Sequence, residues 1–330
     1  MYSEEDIISA IEAGVLSEGS ANAFRAHVAK AKSNVVDEEH FRLIGGFNDI
    51  FVVIACVLLL ISVTWIGGTV VNWVGAVAAA IVAWGLAEFF TRQRKMALPS
   101  IVLLLAFVGN IYYACFLALE YTASGAVIAA ALSCLGAWLH WSRFKVPITV
   151  AAGVAASVAL INTLLIKFAP DPFRYYLSLI LLISGLIVFF IAMQWDSADI
   201  NRQTRKSDVA FWLHLLAAPL IVHPVFSILG ILNGQNNWYQ ALIVIVLYII
   251  IAFVSLAIDR RALMVSALAY VLFTFSSLLK DFGVVGLGFA ITALVIGSAL
   301  LLLSAFWHPC RKFVLKQLPL FMRKNLPSTS

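Results

Sequence analysis

Charge is what this chain has least of. Only 12% of its 330 residues are Asp, Glu, Lys or Arg, about half the share of a water-soluble domain. With 62% hydrophobic residues and a mean hydropathy of +0.98, a fold in water would leave apolar surface with nowhere to go, so lipid is the solvent. Cysteine is scarce as well. Cys56, Cys115, Cys134 and Cys310 form no CxxC or other metal-ligand spacing, which excludes a disulfide framework, and they read as small hydrophobes. GxSxG, HExxH and P-loop motifs are missing, as are histidine boxes, and no glycine stands two residues before Ser184 to suggest a nucleophile turn. No enzyme and no cofactor is expected. Neither end has the density of basic and aromatic groups that nucleic acid requires. The first thirty residues hold no long apolar run, so the first such run is expected to serve as an uncleaved anchor.

What the chain has instead is long apolar runs. Ten of them lie at about 46–66, 70–90, 98–119, 123–141, 148–167, 174–194, 209–230, 238–258, 262–280 and 283–306, each long enough to cross a core of about 30 Å at 1.5 Å per residue. The expected fold is all-α, a polytopic transmembrane bundle of ten spans (46–307) between a helical prefix (1–45) and a basic tail (308–330). Charge sets the orientation. Of the 22 Lys and Arg residues, 19 fall in the head, the tail and alternate turns, leaving Lys167, Arg174 and Lys280 for the opposite turns. The positive-inside rule then puts both termini in the cytoplasm. Eight of the nine tryptophans lie toward span ends, Trp84 being the exception, which reads as an aromatic belt at both faces. Three compact basic turns, Thr91–Lys95, Ser142–Lys145 and Asp259–Arg261, resemble one another; a tandem repeat and basic turns alone would both produce this. The fourth, Trp195 to Asp208, is longer and carries Asp196, Asp199 and Asp208. Small residues four apart (Gly75, Ala79, Ala83; Gly153, Ser157; Ala293, Gly297) predict close helix contacts.

In the prefix, Ser3-Glu4-Glu5-Asp6 reads as a capping box, Gly14 as a C′ stop, Ser17 as the cap of a second helix and Asp37 as the cap of a third. Residues 1–45 form either a collar on the bundle or a dock for a cytoplasmic partner protein. The tail from Arg311 mixes apolar residues with five cations and suits an anionic leaflet.

The seventh run is the unusual one, with His214, Pro219, His223 and Pro224. Proline removes a helical bond, and a broken helix can line a solute site; a kinked packing helix is the alternative. The histidines are nine apart, hence on opposite faces, so one metal cannot hold both. His140 with His214 across two helices is a haem or metal alternative to ordinary interfacial histidines. Asn110 and Asn162 lie inside the third and fifth runs and read as interhelical hydrogen bonders. Glu88 stands four residues before Arg92, a favourable ion-pair spacing. No carboxylate lies at mid-depth, which counts against a proton-coupled pump.

Four phrases carry a resemblance: Glu12–Glu18, Asp208–Pro219, Asp259-Arg260-Arg261-Ala262-Leu263 and Ser304–Pro309. Through them, over about a fifth of the sequence, the chain resembles uncharacterised bacterial multi-pass inner-membrane proteins of a domain-of-unknown-function type. The resemblance implies a bacterial plasma membrane and brings no assigned active residues. The expected function is to bind or move a small or lipid-like solute near the seventh run, with His223, Pro219, Asn110, Asn162 and His214 as ligand-binding candidates. The other reading is a scaffold or regulator that recruits a cytoplasmic partner. Beyond that partner, only the lipid bilayer is expected to be bound.

Overall fold

The computed structural model describes residues 4–24, 47–200, 204–230, 238–281, 288–319 and 326; the expected third head helix lies outside them. The chain divides into a head, within residues 1–41, and a bundle within Arg42–Pro327. In the head, the helix Glu4–Glu12 ends where expected. Gly14 takes φ +71°. Its N–H bonds Ile11 O at 2.9 Å and the Val15 N–H bonds Ala10 O at 3.0 Å, the paired bonds of a Schellman stop. Ser17 Oγ accepts from the Ser20 N–H at 3.1 Å and starts the helical stretch 18–24.

Each apolar run of the bundle becomes a helix: α1 Phe47–Gly68, α2 Asn72–Ala87, α3 Ala97–Ala118, α4 Ala123–Phe144, α5 Ile148–Phe168, α6 Pro170–Ser197, α7 Arg205–Ile228, α8 Trp238–Ile258, α9 Ala262–Asp281 and α10 Gly288–Ala305. An eleventh, α11 (Trp307–Gln317), follows at a bend of 78°. Among the described residues there are helices and turns but no strand. Among the described residues, seven spans are long and apolar enough to cross a membrane, α1, α2 with its continuation to Gln93, and α3 to α7, and the bent pair α10–α11 makes an eighth if it counts as one span. The apolar surface faces outward: along α1, Phe51, Ile54, Leu58, Ile61 and Trp65 form one exposed stripe, a surface that only lipid solvates without penalty.

Most consecutive helices pack as hairpins, α6 against α7 most extensively, while α7 packs onward against α9. Small residues set the approach of α1 to α2. A Cβ on Gly75 would stand 2.0 Å from the Thr64 carbonyl oxygen, and Ala79 and Ala83 are fully buried beside Cys56 and Leu60. Gly153 likewise lies against Ala137 of α4, but a Cβ on Gly297 would meet nothing within 4 Å, so this third small-residue position makes no close contact. Compact turns reverse the chain with single residues in the left-handed region, Lys95, Lys145 and Asp259, one in each of the three look-alike basic turns.

The basic turns meet at one end of the bundle. A π-helical segment, Glu88–Gln93, closes α2. Glu88 there pairs with Arg92 at 3.3 Å, as its spacing predicts, and with Arg143 of α4 at 2.7 Å. Trp65, Trp73 and Trp138, toward the ends of α1, α2 and α4, are exposed on the outside of the bundle. Trp141, Trp195 and Trp212 are half-buried against a cluster of α5, α6 and α7, and Trp307 is buried. Indole surface lowers free energy in a protein contact as readily as at the headgroups.

Candidate functional site

The basic end holds a closed ionic cluster. Helix α8 ends at Asp259, whose φ of +59° turns the chain so that three successive side chains diverge. Arg260 turns into the bundle and is only 2% exposed. Its Nη2 donates to Asp196 Oδ1 of α6 at 2.7 Å and its Nε to Oδ2 at 3.3 Å, a fork on a carboxylate. Nη2 also reaches the Ser207 carbonyl at 3.1 Å. Ser255 Oγ donates to the Arg260 carbonyl, and Phe211 lies 6.0 Å from the guanidinium carbon. Asp259 instead faces α11, accepting from Trp307 Nε1 at 2.8 Å, with Arg311 Nε at 3.5 Å. Arg261 lies over the Trp307 ring at 4.7 Å.

Asp196, Asp259, Arg260 and Arg311 are all buried. Two carboxylates and two guanidiniums balance, which is the condition for keeping charge out of water. From the sequence Arg260 is simply one cation of a basic turn; in the structure it is buried. The one signal for it was the acids of the Trp195–Asp208 turn. Nothing marked Asp259, Trp307 or Arg311 as partners, because the pairing depends on where α11 bends back. The buried cluster joins α6, α7, the α8–α9 turn and α11.

His214 belongs to this cluster. It is fully buried, with Nε2 3.3 Å from Asp196 Oδ2 and its ring edge-on to Phe189. His140 is also fully buried, but in a separate aromatic box of Trp84, Phe107 and Phe144, with Nδ1 3.2 Å from Thr149 Oγ1. Neither is the interfacial, half-wet histidine expected from the sequence, because each finds a polar partner inside the bundle. No group of three or more potential metal ligands occurs among the described residues. His223 is exposed, on the face of α7 opposite His214, as the nine-residue spacing requires. Pro219 is exposed too, and α7 continues as one helix through both prolines. The sharp break in the bundle is at α10–α11 instead.

The asparagines also depart from expectation. Asn110 Nδ2 donates to Ala106 O of its own helix at 2.8 Å, and Asn162 Nδ2 to Val158 O at 2.7 Å. Neither amide bridges to another helix among the described residues. Asn162 Oδ1 is buried with no partner among them. Asn110 lies where two lateral clefts meet on either side of α3. One, about 510 Å³, runs between α2, α3 and α4 with Ile81, Trp84, Phe107 and Cys115 in its wall. The other, about 360 Å³, lies between α1 and α3 beside Thr64 and Trp65. Neither cleft includes His214, His223, Pro219 or Asn162, so the structure does not gather the five candidates into one site.

Fold and clefts together define, over the described residues, an all-α, multi-pass membrane protein with a buried ionic cluster and apolar clefts between its helices. No family model, curated protein or solved structure matches the chain.

Proposed function

We propose that this chain crosses a bacterial plasma membrane ten times, with its basic end in the cytoplasm, and binds a lipid-like solute that enters sideways at Asn110. The observation that supports this is the pair of apolar clefts meeting at one amide. Asn110 lies 13 residues into α3, about 20 Å along its axis and thus near mid-bilayer. Among the described residues its hydrogen bond is to its own helix, through one amide hydrogen. A hydroxyl-bearing, otherwise apolar solute fits: the hydroxyl meets the amide and the chain fills the cleft. The absence of mid-depth carboxylates makes proton coupling a poor fit.

The test is photolabelling with a diazirine-bearing monoacylglycerol in nanodiscs. Labelling is expected along α2–α4. It should fall several-fold in Asn110→Leu and in Ile81→Trp, which narrows the cleft from its exposed rim. Equal labelling of both variants and the parent would refute the site. The scaffold reading has one observation in its favour: Val15 and Phe24 of the head are 80% and 44% exposed. If removal of residues 1–36 abolishes the cellular phenotype while Asn110→Leu preserves it, the head carries the function.

A further inference from the structure

A hollow of about 420 Å³, independent of Asn110, lies between α8, α9 and α10, within the size range of small-molecule sites. Its wall is made of aliphatic side chains, Met264, Phe275 and Tyr248. Tyr248 therefore carries the one hydroxyl in an otherwise apolar lining. The residue as a whole is half-buried, but its hydroxyl oxygen is buried and has no hydrogen-bond partner among the described residues. A buried hydroxyl ordinarily has one, because leaving water without a replacement bond is unfavourable. Ile245, Ile249, Ile291 and Val295 of the same wall are exposed on the outside of the bundle, so the hollow borders the surrounding lipid.

We infer that this hollow binds an isoprenoid quinone, with a ring carbonyl accepting a hydrogen bond from Tyr248 and the tail leaving past the exposed rim into lipid. Trp238 and Ile258, the ends of α8, each lie ten residues from Tyr248, about 15 Å of helix. With α8 crossing the membrane as proposed above, the hydroxyl stands near mid-depth. That depth selects the ligand. A phospholipid keeps its phosphate and ester carbonyls at the headgroups and brings only methylenes to mid-depth, and these accept no hydrogen bond. A charged or polyhydroxylated solute would leave its other polar groups against aliphatic wall, unpaired. A quinone carries carbonyl acceptors on a ring that is otherwise apolar, and its tail is as apolar as the lipid. Phe275 in the same wall offers that ring an aromatic neighbour. In hydrocarbon the hydroxyl and the carbonyl each lack the bond that they make together, and low polarity strengthens it.

The experiment is photolabelling of the full chain in phosphatidylcholine nanodiscs with an azido-benzoquinone that bears a short isoprenoid tail. Label is expected on peptides of α8, α9 and α10, displaced by the unlabelled quinone but not by the same tail without its ring. Tyr248→Phe, which removes one oxygen and keeps the ring, should lower labelling several-fold. Ala299→Trp, which fills the hollow from its exposed side, should lower it at least as much. Asn110→Leu should leave it unchanged. The proposal is overturned if Tyr248→Phe labels like the parent, if Ala299→Trp does, or if the ringless tail displaces the probe as well as the quinone does, which would make this a plain lipid cleft. Loss of labelling in Asn110→Leu alone would move the quinone to the α2–α4 cleft, ending this proposal and leaving the Asn110 site standing. Should the Ala299→Trp protein not fold, Tyr248→Phe and the ringless competitor decide.

Discussion

A guanidinium with 2% of its surface exposed is tolerable only while its carboxylate stays in place. Removing one partner of a buried pair costs about 3–5 kcal/mol, because the other charge is left in a medium of low polarity. Arg260→Leu is therefore expected to lower stability by that amount in a detergent unfolding assay. Pairing it with Asp196→Asn should recover part of the loss, since the stranded charge is then gone. If the double variant is as unstable as the sum of the singles, the pair is not coupled. At this scale the sequence was a poor guide. It showed which residues were charged but not which were dry. Arg260 and Arg261 look identical in a basic turn, yet one points into the bundle and the other over an indole. That difference comes from the left-handed Asp259 and from α11 closing behind it, neither of which hydropathy records. His214 was singled out, but for its neighbour Pro219 rather than for Asp196, its actual partner.

Helices were far more legible. Ten apolar runs became ten helices, with ends displaced by a few residues, because runs of this length outside water have no other way to satisfy their backbone. Of the two readings offered for the prolines, a broken helix and a kinked packing helix, the structure favours packing: α7 continues as one helix, and a Cβ on Gly185 of α6 would stand 2.7 Å from the Leu220 carbonyl carbon. One element-level expectation did not survive. Four-residue spacing of small side chains was expected to mark three contacts and marks two. The distinction is testable. Gly75→Ala pushes a methyl into backbone and is expected to cost about 1–3 kcal/mol, whereas Gly297→Ala is expected to change stability by less than about 0.5 kcal/mol. Thermal unfolding of both in one detergent checks this; equal losses would mean that α1 and α2 are not in close contact.

For the whole molecule, the alternation of basic and plain turns carried the topology, and the structure adds a physical link between the turns. Glu88–Arg143 joins the first to the second and Asp196–Arg260 the third to the fourth. The proposed orientation predicts the outcome of labelling with a membrane-impermeant maleimide in a cysteine-free background. Lys145→Cys should react in inverted vesicles and Tyr121→Cys in right-side-out ones; the opposite result would reverse the bundle. The lateral clefts were not legible at all, because a hollow is a property of how three helices splay and no single run encodes it. Asn110 was found by its polarity alone, and its surroundings came only with the fold.

The Asp196–Arg260 pair also sets a clock for biogenesis. The partners are 64 residues apart in sequence, and the carboxylate is made first. At about 5–20 residues per second, the α6–α7 hairpin waits roughly 3–13 s for its counter-ion. During that interval the nascent chain carries an acid that later becomes dry. A chain arrested before Arg260 therefore has a finished α6–α7 hairpin whose Asp196 lacks its guanidinium.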